Sequence, residues 1–159
     1  MLNGPRPPKK AILVIDDRKD DRRLVKLLLR KFDCEVVEAE NGIDGLDLVE
    51  KHRPRLILID LMMPGLTGLE SIRGFRKKCE MKANLRLKAV PVILLSSRRL
   101  DPDFHHYLRL EGIEFHAKPV RSKDLLLQIE TLVGPLPVNA PPKNGAANVK
   151  PTASWGAKK

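Results

Sequence analysis

Five short aliphatic runs punctuate the chain, and their lack of polar alternation is the strongest constraint on its fold. They read AILVI (11–15), CEVVEA (34–39), RLILI (55–59), VPVILL (90–95) and IEFHA (113–117). A strand with one wet face alternates apolar and polar residues, whereas a strand covered on both faces is apolar throughout, as at 11–15, 56–59 and 90–95. Between the runs, apolar residues recur at helical spacing: Leu24, Leu28 and Phe32; Ile43, Leu46 and Val49; Leu69, Ile72 and Phe75; Phe104, Tyr107 and Leu108; Leu125, Leu126 and Ile129. Strand and helix in strict turn require a parallel sheet with right-handed crossovers and helices on both faces. The expected fold is α/β, a doubly wound sheet of five parallel strands with five helices.

That pattern occupies residues 11–133. The net charge of +10 is concentrated outside it: residues 1–10 hold Arg6, Lys9 and Lys10, residues 134–159 hold Lys143, Lys150, Lys158 and Lys159, and neither stretch holds an acid. Both ends are poor in large aliphatics, so they bury too little surface to offset the entropy of ordering. They are expected to be a disordered basic arm (1–10) and a disordered Pro/Ala/Lys-rich tail (134–159). A signal sequence is not evident, and no apolar run reaches the ~18–20 residues needed to span a bilayer. A cytoplasmic protein without membrane insertion is expected. Cys34 and Cys79 lie in no metal or redox spacing and are read as packing residues. His105 and His106 are helix neighbours that point about 100° apart, so they do not form a metal pair.

Open sheets of this kind bind ligands beyond the carboxyl ends of their strands. The first run ends in Asp16 and Asp17, the third in Asp60, the fourth in Ser96 and Ser97, and the fifth in Lys118 followed by Pro119. Three carboxylates converging on one crevice raise one another's pKa unless a counter-charge is present. A hard divalent cation supplies it, and a site with few protein oxygens and room for a phosphate suits Mg²⁺ better than Ca²⁺. Lys118 adds a compact positive charge. Acids, metal, lysine and hydroxyl together can hold a phosphoryl group. After Asp60, Pro64 and Gly65 favour a tight turn. Asp20 and Asp21 are placed to cap the helix of Leu24 to Phe32.

The segments VIDD, LILIDLMMPGLTG, VILLSS and FHAKP, in this order and spacing, resemble the signature of the response-regulator receiver domain over residues 11–133. The resemblance implies a flavodoxin-like sheet of order 2-1-3-4-5. It implies that Asp60 accepts a phosphoryl group from a phosphohistidine of a sensor histidine kinase or histidine phosphotransfer protein. Mg²⁺ is then held by Asp16, Asp17, Asp60 and the backbone carbonyl of Met62, and Ser96 and Lys118 grip the phosphoryl group. Ser96 and Phe115 form the switch, and the Lys118–Pro119 peptide is cis. Such a protein is a phosphoacceptor switch rather than an enzyme, a monomer or a phosphorylation-linked dimer that signals to a downstream protein target. Two features depart from the family: a longer link between the third and fourth runs, RKKCEMKANLRLKAVP, and an approach to Lys118 from Gly112 that is one residue shorter.

A competing reading makes the chain an interaction or nucleic-acid-binding module that acts through its tails and the basic run Arg73, Arg76, Lys77, Lys78, Lys82, Arg86, Lys88, Arg98 and Arg99, independently of phosphorylation. Aromatic content of 4% offers few stacking platforms for bases, so nucleic acid is not the expected partner. A metal-dependent phosphohydrolase of the haloacid-dehalogenase type needs an acid at position 18, where the chain has Arg18.

Overall fold

The computed structural model describes residues 10–81 and 88–139. Its elements follow in strict alternation: β1 (Lys10–Ile15), α1 (Lys19–Leu29), β2 (Cys34–Ala39), α2 (Gly42–His52), β3 (Leu56–Asp60), α3 (Gly68–Met81), β4 (Val92–Ser96), α4 (Pro102–Leu110), β5 (Ile113–Ala117) and α5 (Ser122–Val133). All four strand pairings are parallel and the sheet order is β2-β1-β3-β4-β5. β3, the aliphatic run that ends in Asp60, is the central strand and is buried at every position.

The uniform apolarity of the strands follows from the two cores they serve. Alternate residues face opposite ways: Leu13, Ile15, Ile57, Ile59 and Leu94 pack with α2, α3 and α4, while Ile12, Val14, Leu58, Ile93 and Leu95 pack with α1 and α5. Helix ends follow local chemistry. Asn41 caps α2 by accepting from the Asp44 N–H, and Asp101 caps α4 by accepting from the Phe104 N–H with Pro102 at the next position.

At α1 the expectation of an acidic cap is corrected. The capping position is Arg18, which makes no side-chain capping bond, and Asp20 and Asp21 lie inside the first turn. There they favour the positive end of the helix dipole without capping it. α1 also stops at Leu29, so Phe32 is buried beyond the helix rather than on its face.

A second correction concerns the end of the folded domain. It does not stop at residue 133. Gly134 turns the chain at φ +78° and residues 134–139 run to the α1–β2 corner. Val138 pairs antiparallel with Phe32, the Asp33 N–H donates to the Pro137 carbonyl at 2.6 Å, and Leu136 enters the core beside Leu29 and Ile129. The Asn139 side chain donates to the carbonyls of Arg30 and Phe32, left without helical partners where α1 ends. Buried Leu136 and the backbone pairing at Val138 order a segment whose average composition reads as a tail. Residues 1–9 and 140–159 lie outside the described residues, whereas Lys10 belongs to β1.

Candidate functional site

Register brings the acids together. Ile15 lies opposite Ile59, so Asp16 and Asp60, the next residue of each strand, emerge side by side. Asp16 and Asp60 are buried, Asp17 is exposed, and each of the three offers an oxygen within 4.8 Å of the others. Local bonds fix the carboxylates. The Arg18 N–H donates to Asp16 Oδ1 at 2.9 Å and the Met62 N–H donates to Asp60 Oδ2 at 3.0 Å. The turn after Asp60 reaches positive φ at Gly65, +78°, and closes against α3 at Gly68. A side chain there would place its Cβ 2.2 Å from the Asp60 carbonyl oxygen, so only glycine lets α3 begin this close to the tip of β3.

Lys118 follows β5 and its peptide to Pro119 is cis. Its N–H donates to the Ser96 carbonyl at 2.8 Å, which ties the ends of β4 and β5 together. Its ammonium reaches Asp16 Oδ2 at 2.7 Å, Asp60 Oδ1 at 2.9 Å and Asp21 Oδ2 at 2.9 Å. Burial works to lower the Lys118 pKa, but hydrogen bonds to Asp16, Asp21 and Asp60 outweigh it and hold the pKa above its ordinary value. Asp60 is also pushed up: burial raises it, the neighbouring Asp16 charge adds to that, and one lysine shared among three carboxylates does not compensate fully.

The buried Ser96 Oγ accepts from the Arg98 N–H at 3.0 Å. Phe115 is half-buried on the α4 side of β5, edge-on to the His105 ring at 4.9 Å between centroids. Asp16, Asp17, Asp60 and Lys118 thus form one cluster with Ser96 on the adjoining strand, and Phe115 lies beyond it on the face toward α4. Cys79 is buried and Cys34 half-buried.

Two site residues escape the sequence reading. Asp21 was read as a cap, yet its carboxylate joins the lysine; the signal was its place one turn into a helix that starts three residues after Asp16. Arg22 is buried, donates to the Asp16 carbonyl at 2.7 Å and to Glu40 Oε1 at 2.7 Å, and so braces the β1–α1 corner. Nothing in the spacing separates it from the solvated basic residues around it. Of the seven described residues of the basic run, four are committed within the fold: Arg73 to the Tyr107 hydroxyl, Arg76 to Glu111, Lys78 to Asp47 and Glu50, and Lys88 to Glu80. Lys82 and Arg86 lie outside the described residues.

A crevice of acids and one lysine at the carboxyl edge of a 2-1-3-4-5 sheet defines the receiver class of two-component signalling. The chain belongs to it: residues 12–130 match the response regulator receiver domain. The chain is similar to Protein PilH of Pseudomonas aeruginosa, 30% identical over 122 residues that cover 77% of this chain and 96% of that protein. Its fold resembles chemotaxis protein CheY4 of Vibrio cholerae (TM-score 0.68, 24% identity, 79% of this chain and 99% of that one). It also resembles a response regulator receiver domain protein of Clostridium thermocellum (TM-score 0.65, 28% identity, 78% and 94%). Among the described residues no helix is long and apolar enough to cross a membrane.

Proposed function

We propose that the chain is a phosphorylation-operated response regulator in which Asp60 is the phosphoacceptor. The observation that carries this reading is the placement of Asp60 at the tip of the central strand, 2.9 Å from Lys118, with Asp16 and Asp17 beside it. A carboxylate oxygen of Asp60 attacks the phosphorus of a phosphohistidine on a sensor kinase or phosphotransfer protein. The P–N bond breaks, its electron pair returns to the donor imidazole, and Asp60 becomes an acyl phosphate. The chain's part is positioning and charge compensation. The Met62 N–H orients the carboxylate, and Lys118 and the Ser96 hydroxyl turn to the phosphoryl oxygens.

The donor set fits Mg²⁺: hard oxygens, two of them on buried carboxylates, one on an exposed carboxylate at the crevice mouth. Asp16, Asp17, Asp60 and the Met62 carbonyl would hold it, and it would supply neutralisation of charge on the phosphoryl oxygens. Ser96 drawn toward the acyl phosphate moves the end of β4, and Phe115 follows, changing the face that β5 and α4 present to a protein target. The chain turns over no external substrate; it catalyses only its own phosphorylation and dephosphorylation.

Incubation with Mg²⁺ and acetyl phosphate, followed by mass spectrometry of the intact chain and its peptides, tests this directly. One phosphoryl adduct on Asp60 is expected, absent without Mg²⁺ and absent in Asp60→Asn. An adduct of equal yield in Asp60→Asn would falsify the assignment.

A further inference from the structure

An ammonium has three N–H donors, and in Lys118 all three are committed to carboxylates: Asp16, Asp60 and Asp21. Asp16 and Asp60 belong to the metal-binding cluster. Asp21 does not; it stands on the first turn of α1, a quarter exposed, and hydrogen-bonds the same lysine. A phosphoryl group on Asp60 presents new, strongly accepting oxygens, and Lys118 can donate to one only by giving up a bond it already makes.

We infer that Asp21 is the partner Lys118 releases, so that Asp21 is a positioning residue that occupies the lysine until the phosphoryl group arrives and sets how tightly the phosphorylated state is held. The inference rests on the phosphoacceptor reading of Asp60. Its physical ground is the difference in what each carboxylate loses. Asp16 is 1% exposed and, without the lysine, would depend in a dry site on the Mg²⁺ it shares with Asp17 and Asp60, whereas the Asp21 side chain is 25% exposed and regains water when the lysine turns away. Asp21 also has a second cation within reach, the Arg18 guanidinium at 3.9 Å, which shares the charge after release. The residue therefore works against the phosphorylated state twice. It competes for the lysine, and its charge repels the incoming anion.

The test is the affinity for beryllofluoride, a phosphoryl mimic, at saturating Mg²⁺, measured by calorimetry on the full chain. Asp21→Asn keeps the shape and drops the charge, and is expected to tighten binding by about fivefold, the scale of exchanging a charge-assisted hydrogen bond for a neutral one. Asp21→Glu keeps the competing charge and is expected to bind like the unaltered chain. Asp20→Asn removes the same charge from an exposed neighbour and controls for the general field. A purely structural Asp21 would change the melting temperature of Asp21→Asn and leave beryllofluoride affinity alone. Unchanged or weaker binding by Asp21→Asn, or equal tightening by Asp20→Asn, would overturn the inference. If the unaltered chain binds no beryllofluoride, the phosphoacceptor reading fails first and the role of Asp21 with it.

Discussion

Asp60 is held where its own charge is unwelcome. Its pKa is raised by burial and by the Asp16 charge, so the folded chain binds a proton at Asp60 more readily than the unfolded chain does. The sign follows. Ionised Asp60 costs stability in full above its folded pKa; the cost fades as pH falls through that raised value and is gone below the ordinary carboxylate value. Without Mg²⁺, Asp60→Asn is expected to melt higher than the unaltered chain at pH 7. The gain should vanish in titrations below about pH 4; an equal gain at both ends of the scale would exclude this cause. Gly68 carries a different demand. Gly68→Ala pushes a methyl against the Asp60 carbonyl, and ~1–3 kcal/mol of stability should be lost to overpacking. Slower labelling by acetyl phosphate should accompany the loss, because relief requires α3 to retreat from the strand tip that bears the proposed acceptor.

The segment from Gly134 to Asn139 is the element that composition conceals. Leu136 is 4% exposed in the core shared by α1 and α5, and Leu136→Ala is expected to cost ~2–5 kcal/mol in denaturant unfolding. A chain ended at residue 135 loses Leu136 and the Asn139 bonds that close α1, and should unfold at lower denaturant than one ended at residue 139. Equal midpoints would show that the segment adds nothing. The regular elements were legible because burial on two faces leaves runs without polar alternation, seen around Leu58 and Ile93 as clearly as in any motif. Asp16, Asp17, Asp60 and Lys118 were legible because strand ends converge by rule. Asp21 and Leu136 were not. One reads as an ordinary helix-start acid and the other as a lone aliphatic among prolines, and each acquires its role from a neighbour about a hundred residues away.

For the whole molecule, Mg²⁺ held by the acid cluster as proposed would link folding to metal. An ion that binds only the folded chain stabilises it by mass action, ~2.7 kcal/mol at one hundred times the dissociation constant. The melting temperature is expected to climb with Mg²⁺ concentration, and Asp17→Ala, an exposed position, should flatten that climb while leaving the metal-free melt nearly unchanged. A climb of undiminished slope in Asp17→Ala would remove Asp17 from the ligand set. The sheet and its helices also give the molecule two poles. The acids occupy one. α1 runs about 15 Å away from them, and the bonds of Asn139 to Arg30 and Phe32 hold the chain at the other. Asn139 therefore lies at the far pole. A dye, bead or sensor surface attached beside Asn139 would hold the protein by its back, with the acid crevice turned outward to solution.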